Sequence, residues 1–456
     1  MLLRESIAAN KNYIDACLQE EVSVICVSRE TGKNKNMPFR AMFENNPRFW
    51  LQNDKWEFFL SNDDFASVQS AAAGKESAWE PSGTGQAEPG KKEANHCFGK
   101  DYESIASMTD AERVRHINED KNRLVALIAL KPRQEHLVTE ALVETTQNAM
   151  LHNHAALKKA MQLSNDDAKK QTQDLVDSTR DLVKATSQLI SDNIFNDDLM
   201  NKLVAQSNGT IIQHMTRVYL NGLAFLSYYN NLVSTSSIIA KLRISISDRH
   251  RQYYQSLLPH VDIDDITLEK VFLGGMRAIN ENDFYNWATG FLIHDIGKAA
   301  AVEYHEGESA YNRNIVIEHV KIGYNSVISK TNYPKEAALI TGYHHEYYGD
   351  PAGYGYFRAY LDEYQKANPQ AKQGYTMTFD LAPILDFEAL SYFPAKVLEI
   401  IDVFDSVTDP NRKYRKALDV EEALSMMEEN FIKKHHKIDL ILFEIFSKFV
   451  REKQTH

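Results

Sequence analysis

The sequence predicts a multidomain chain in which a small α+β amino-terminal domain precedes an all-α domain. Three observations predict it. At 456 residues the chain exceeds what one hydrophobic core organises, so it divides. β-Branched and aromatic residues gather near the amino terminus, where "VSVICVS" and "WEFFLS" flank a polar, turn-prone middle between Glu21 and Asn62. Beyond Pro132 apolar residues recur at helical spacing through to "ALDVEEALSMMEENFIKKHHKIDLILFEIFSKFV".

In chain order, residues 1–135 are expected to form the α+β domain, read as regulatory or sensory. Small, polar, Gly and Pro residues dominate Ser70 to His96 and predict a flexible loop over residues 70–98. After it, "RLVALIALKP" is a candidate for one more strand of the same sheet. Residues 136–200 read as a helical linker. There Leu175, Leu182 and Leu189 stand seven apart with Val176, Val183 and Ile190 beside them, a seam that suits a homodimer helix and packing on its own chain equally. Residues 201–456 are expected to be all-helical.

Composition excludes several classes. A formal net charge of -12 opposes binding of a nucleic-acid polymer, while small phosphorylated ligands need only a few local cations. The longest apolar run is about the size of "LVALIAL", far short of the roughly 20 residues that span a bilayer. Arg4 and Glu5 fall where a signal peptide needs an unbroken apolar core, so a cytoplasmic protein is expected. Cys17, Cys26 and Cys97 lack CxxC spacing and predict neither a disulfide framework nor a thiolate zinc site.

The chemistry-bearing residues lie in the helical part. "NWATGFLIHDIGKAAAVEYH" sets His294 and Asp295 after an apolar run with Gly297 and Lys298 following, which alone fits either a metal site or a polar break in a buried helix. His319 follows in "IVIEHVKIGYNSV", then the adjacent His344 and His345 in "ALITGYHHEYYGDPAGYGYF", then Asp402 and Asp405 in "VLEIIDVFDSVTD". Imidazoles and carboxylates from several helices are what a di-metal site for Mn, Fe or Zn requires. On a helix, adjacent residues diverge by about 100°, so the vicinal pair is expected to give one nitrogen to each of two neighbouring ions. Asp405 taken alone reads as a capping or ion-pair residue.

These motifs resemble the HD-GYP family, the phosphodiesterase branch of the HD metal-dependent phosphohydrolases, over about the last 250 residues. The carriers are "HDIGK" at His294 to Lys298, "YHHE" at Tyr343 to Glu346, "GYG" at Gly353 to Gly355 in the place of the name-giving GYP, and "AKVLEIIDVFDSVTDPNRKYRKA" from Ala395 to Ala417. The resemblance implies an all-α HD-GYP domain with His294, Asp295, His319, His344, His345 and Asp402 as metal ligands and Asp295 as the bridge. "TIIQHMTRVYLNG" is similar to the family's upstream ligand helix and gives His214, followed by Arg217 and Val218. Thr210 stands where family members with a third metal carry glutamate, so two divalent ions, Fe or Mn, are expected.

What the family implies is hydrolysis of cyclic di-GMP, with pGpG or GMP as the product. Two ions about 3.5–4 Å apart generate hydroxide near neutral pH and clamp the phosphate. Lys298 would contact the phosphate or the leaving oxygen, Arg412 and Arg415 the second phosphate, and Tyr354 would stack on a guanine. Gly355 in place of proline and some 25 extra residues around "AYLDEYQKANPQAKQGYTMTFD" alter the pocket wall. Another cyclic dinucleotide, such as 3′,3′-cyclic GMP-AMP, and a receptor or scaffold with little turnover are therefore the alternatives. Signalling partner proteins are expected at the GYG loop or the amino-terminal domain.

Overall fold

The computed structural model describes Cys17 and residues 22–28, 34–39, 56–60, 102–130, 135–191, 211–258, 261–272, 275–299, 313–348, 355, 389–410 and 417–454. The chain divides into two compact units, Met1–Lys92 and Glu93–His456.

In the first unit, β1 (Ser23–Ser28) is central and pairs antiparallel with β2 (Asn34–Pro38) and β3 (Trp56–Leu60). Val24 and Cys26 alternate to one face of β1 and are buried, as period-two patterning of a half-buried strand requires. Both apolar runs singled out in the sequence are strands of this sheet. The proposed loop over 70–98 and Cys97 lie outside the described residues.

The second unit is helical: α1 (Tyr102–Ser107), α2 (Asp110–Ala129), α3 (Glu135–Ala160), α4 (Asn165–Ser191), α5 (Ile211–Thr235), α6 (Ile238–Ser245), α7 (Arg251–Leu257), α8 (Leu268–Val271), α9 (Glu281–Ile293), α10 (Arg313–Lys330), α11 (Lys335–Tyr343), α12 (Phe393–Thr408), α13 (Val420–Met427) and α14 (Leu440–Gln454). The unit boundary near residue 92 replaces the expected one at 135, because α1 and α2 pack on α3 and α4. "RLVALIA" is no strand: it completes α2, started by a capping box in which Thr109 and Glu112 bond each other's backbone N–H. Ile117 and Leu124, seven residues apart, are its buried stripe.

The heptad seam on α4 is covered by its own chain. Leu175 and Leu182 pack with Ile117, Ala149 and Ala156, while Val176, Val183, Leu189 and Ile190 enter the main core. Two neighbouring rows make a stripe wide enough to meet α2 and α3 on one side and α9 and α10 on the other. The segment read as a linker is thus part of the helical body that carries the site. At the centre, α5, α9, α11 and α12 converge, with Phe225, Phe291, Ile340, Leu398 and Ile401 fully or almost fully buried between them.

Candidate metal centre

Each candidate ligand is delivered by the end or the inner face of a central helix. Asn280 caps α9 through Asp283 N, and the helix ends at Ile293, so His294 and Asp295 leave its last turn into the interior at 0% and 1% exposure. A 3₁₀ turn at Ile296–Ala299 follows, with Lys298 N–H donating to the Asp295 carbonyl. Gly297 lets this turn press on α10: a Cβ there would run into the His319 carbonyl, with Gly323 N at 2.7 Å. The contact of Gly297 with α10 brings His319 Nε2 to 3.0 Å from Asp295 Oδ1.

His344 and His345 follow the last residue of α11 and sit in a turn closed by Glu346 N–H to the Tyr343 carbonyl. Because the helix has ended, the rings do not diverge by the angle expected within one. Their centroids lie 4.0 Å apart, and both join His319 and Asp295 in one buried group whose candidate ligand atoms all lie within 4.8 Å of one another. His214, His294 and Asp295 form a second such group. Asp295 is common to both.

His214 is carried by α5, and folding closes the long sequence gap, with Nε2 4.0 Å from Asp295 Oδ2 and 2.9 Å from Asp402 Oδ1. Asp402, on α12, also lies 3.7 Å from His345 Nδ1. The structure therefore brings His214, His294, Asp295, His319, His344, His345 and Asp402 together. Lys298 is beside them, with Nζ donating to Asp295 Oδ2 at 2.5 Å. Tyr354, Arg412 and Arg415 lie outside the described residues.

The donor set fits a divalent metal on its own hydrogen bonds. His294 Nδ1–H donates to the Phe291 carbonyl and His344 Nδ1–H to the Thr341 carbonyl, both at 2.8 Å. This fixes the tautomer, turning the Nε2 lone pair of each ring inward, and both Nε2 atoms are buried without a hydrogen-bond partner. Burial holds the His294 imidazole down at about 4 and lowers His319, so they are neutral at pH 7, as ligation requires. Burial alone would raise the Asp295 carboxyl, but the Lys298 ammonium and the hydrogen bond with His319 outweigh it and keep Asp295 ionised.

His214 is held differently. Its Nδ1 bonds Asp405 Oδ2 at 2.7 Å, and Arg217 forks onto the same carboxylate, Nε to Oδ1 at 2.6 Å and Nη2 to Oδ2 at 3.0 Å. Nη2 also reaches Asp409 Oδ2 at 2.7 Å. Burial opposes the charged imidazole, yet the bonds to Asp402 and Asp405 outweigh it and raise the His214 pKa. Asp405 is thus the ion-pair residue expected, bonded to the candidate ligand His214. Asp409 is not singled out by the sequence, although its place four residues beyond Asp405, at the carboxyl-terminal cap of α12, is the available signal.

Three further findings went unread in the sequence. His154 of α3 is buried with Asp295, Lys298 and His294 in its electrostatic surroundings, so the supposed linker contributes to the wall of the site. Lys396 and Glu399 are fully buried on α12, a pair signalled by two charges inside the apolar run "FPAKVLEIIDVF". Gly355 N–H donates to the His345 carbonyl at 2.9 Å, a bond that a proline could not make, and a Cβ there would collide with Glu346. Among the described residues no helix is long and apolar enough to cross a membrane. No family model, curated protein or solved structure matches the chain.

Proposed function

We propose that the chain is a metal-dependent cyclic-dinucleotide phosphodiesterase that hydrolyses cyclic di-GMP to pGpG or GMP, with the amino-terminal unit as its regulatory or sensory domain. The observation that carries the reading is Asp295, a buried carboxylate shared by two histidine groups, His214 with His294 and His319 with His344 and His345. Such sharing suits two divalent ions, Fe or Mn, with Asp402 as a further ligand between His214 and His345. Bound there, the ions would supply Lewis acidity toward water and the phosphoryl oxygens.

The chain's own residues provide the rest. His294 and His344 present Nε2 atoms whose direction is fixed by backbone carbonyls, so little reorganisation is needed on loading. Lys298 offsets the Asp295 charge and stands where an anionic phosphate would approach, in position to stabilise the leaving ribose oxygen. Hydrolysis adds water across one phosphodiester, breaks its P–O3′ bond and returns a proton to the 3′ oxygen, giving the linear dinucleotide. Arg412 and Arg415 are proposed for the second phosphate and Tyr354 for a guanine face, on the motif resemblance alone.

The test is purified protein loaded with Mn or Fe under reducing conditions, incubated with a panel of cyclic dinucleotides and followed by chromatography. Linear dinucleotide or mononucleotide from cyclic di-GMP is expected. Faster turnover of 3′,3′-cyclic GMP-AMP would reassign the substrate. Binding without turnover under both metals would leave a receptor in place of an enzyme.

A further inference from the structure

We infer that Lys396 is a positioning residue for the vicinal histidines, holding the turn that carries His344 and His345 from behind through its ammonium group. The inference rests on the metal-site reading for its consequence and on geometry for its substance. Lys396 is 0% exposed, and its Nζ donates to the Glu346 carbonyl, the residue directly after His345. The same Nζ lies 4.0 Å from the centroid of the Tyr348 ring and 5.7 Å from that of Tyr343. One buried cation thus contacts residues before and after the histidine pair.

The surroundings explain why a charge is kept there. Glu399, one turn along α12, accepts from Lys396 Nζ at 2.8 Å and is itself fully buried. Burial raises the Glu399 carboxyl to about 8, with Lys396 opposing that rise. A cation over aromatic faces away from water is attracted by both rings, while a buried charge without partners would be expensive. The far end of the turn is pinned as well. Tyr348 OH lies within hydrogen-bond distance of both Asp439 Oδ2, at 3.0 Å, and Ser391 Oγ, at 2.9 Å, and Tyr254 OH donates to the same Asp439 oxygen at 2.9 Å.

The neighbouring carbonyl is held too, since the His345 oxygen accepts from Gly355 N–H. Consecutive carbonyls at 345 and 346 therefore take donors from two different parts of the chain. Lys396 also sits on the helix that carries Asp402, so one rigid element supplies a ligand and supports the turn bearing two more.

The test pairs Lys396→Met with Glu399→Gln, which removes the buried cation and its carboxyl partner at nearly constant volume. Two readouts are taken: hydrogen exchange in peptides covering 340–348 of the metal-free protein, and Co2+ titration followed by visible absorption. The double variant is expected to exchange at least tenfold faster over 343–348, with 281–293 as in wild type. It is also expected to bind Co2+ at least tenfold more weakly, with an altered absorption band. Lys396→Arg, which keeps a cationic donor, is expected to restore both to within threefold. Should the double variant not fold, Lys396→Gln is read the same way.

Wild-type exchange over 343–348 in the folded variant would overturn the inference. Faster exchange there in a protein whose wild type takes up no Co2+ would leave the positioning role standing and remove the metal site.

Discussion

His294 and His344 differ from His214 in what holds them. The first two donate from Nδ1 to carbonyls three residues earlier in their own helices, Phe291 and Thr341. His214 depends on Asp405, 191 residues away, and on the Arg217 fork that orients that carboxylate. The first arrangement forms wherever the helix ends correctly. The second exists only when α5 and α12 have packed. It also carries charge, because the flanking carboxylates favour a protonated His214, whereas burial keeps His294 neutral. One side of the centre is therefore built locally, and the other is built over long range and is pH-sensitive.

The largest effect that would break this contrast is on stability. Arg217 is 3% exposed and serves both Asp405 and Asp409, so Arg217→Met strands buried carboxylates. A loss of ~3–5 kcal/mol in denaturant unfolding is expected. Asp405→Asn keeps the shape but weakens the anchor of His214. Metal affinity measured by calorimetry should fall by about 10- to 100-fold, as for other partners of metal-ligating histidines.

The pH dependence sharpens the contrast. The His214 pKa is raised in the metal-free fold, so a proton must leave when a metal binds, and affinity should climb as pH rises through that value. Calorimetry at pH 7 in buffers of different ionisation enthalpy should detect the released proton, and Asp405→Asn should reduce it.

A smaller effect lies outside the centre. Burial, then His116 and Arg113, holds His152 down at about 4 from an ordinary 6.5. The unfolded chain therefore binds more protons between these values, so stability is full above about 6.5 and declines as pH falls toward 4. His152→Gln should flatten that part of a thermal-unfolding profile of the chelator-treated protein.

The same division explains what the sequence made legible. "HDIGK" and "YHHE" could be read because the helix end, the glycine and the ligands are contiguous. His319 could be placed by its position in the series of candidate ligands, whereas the close approach of Gly297 to Gly323 that seats it could not. The helical body from α5 onward followed from periodicity alone. Asp409, His154 and the Lys396–Glu399 pair escaped because their partners lie on helices far away in sequence. "RLVALIAL" was ambiguous because a short apolar run suits a strand or a helix, and the capping box at Thr109 decided for α2. The seam on α4 left partner and self open because heptad spacing does not say which chain covers it. The substrate contacts at Tyr354, Arg412 and Arg415 fall outside the described residues.

Asp295 is where the two modes of construction meet, and metal content tests that most directly. Wild type and Asp295→Asn are loaded with Mn2+, freed of excess ion and measured for manganese per chain by mass spectrometry, with circular dichroism confirming equal folding. Because Asp295 belongs to both histidine groups, wild type should retain the ion and the variant less than about one-tenth as much. Equal retention in the two proteins, or none in wild type, would contradict a metal centre organised by this carboxylate.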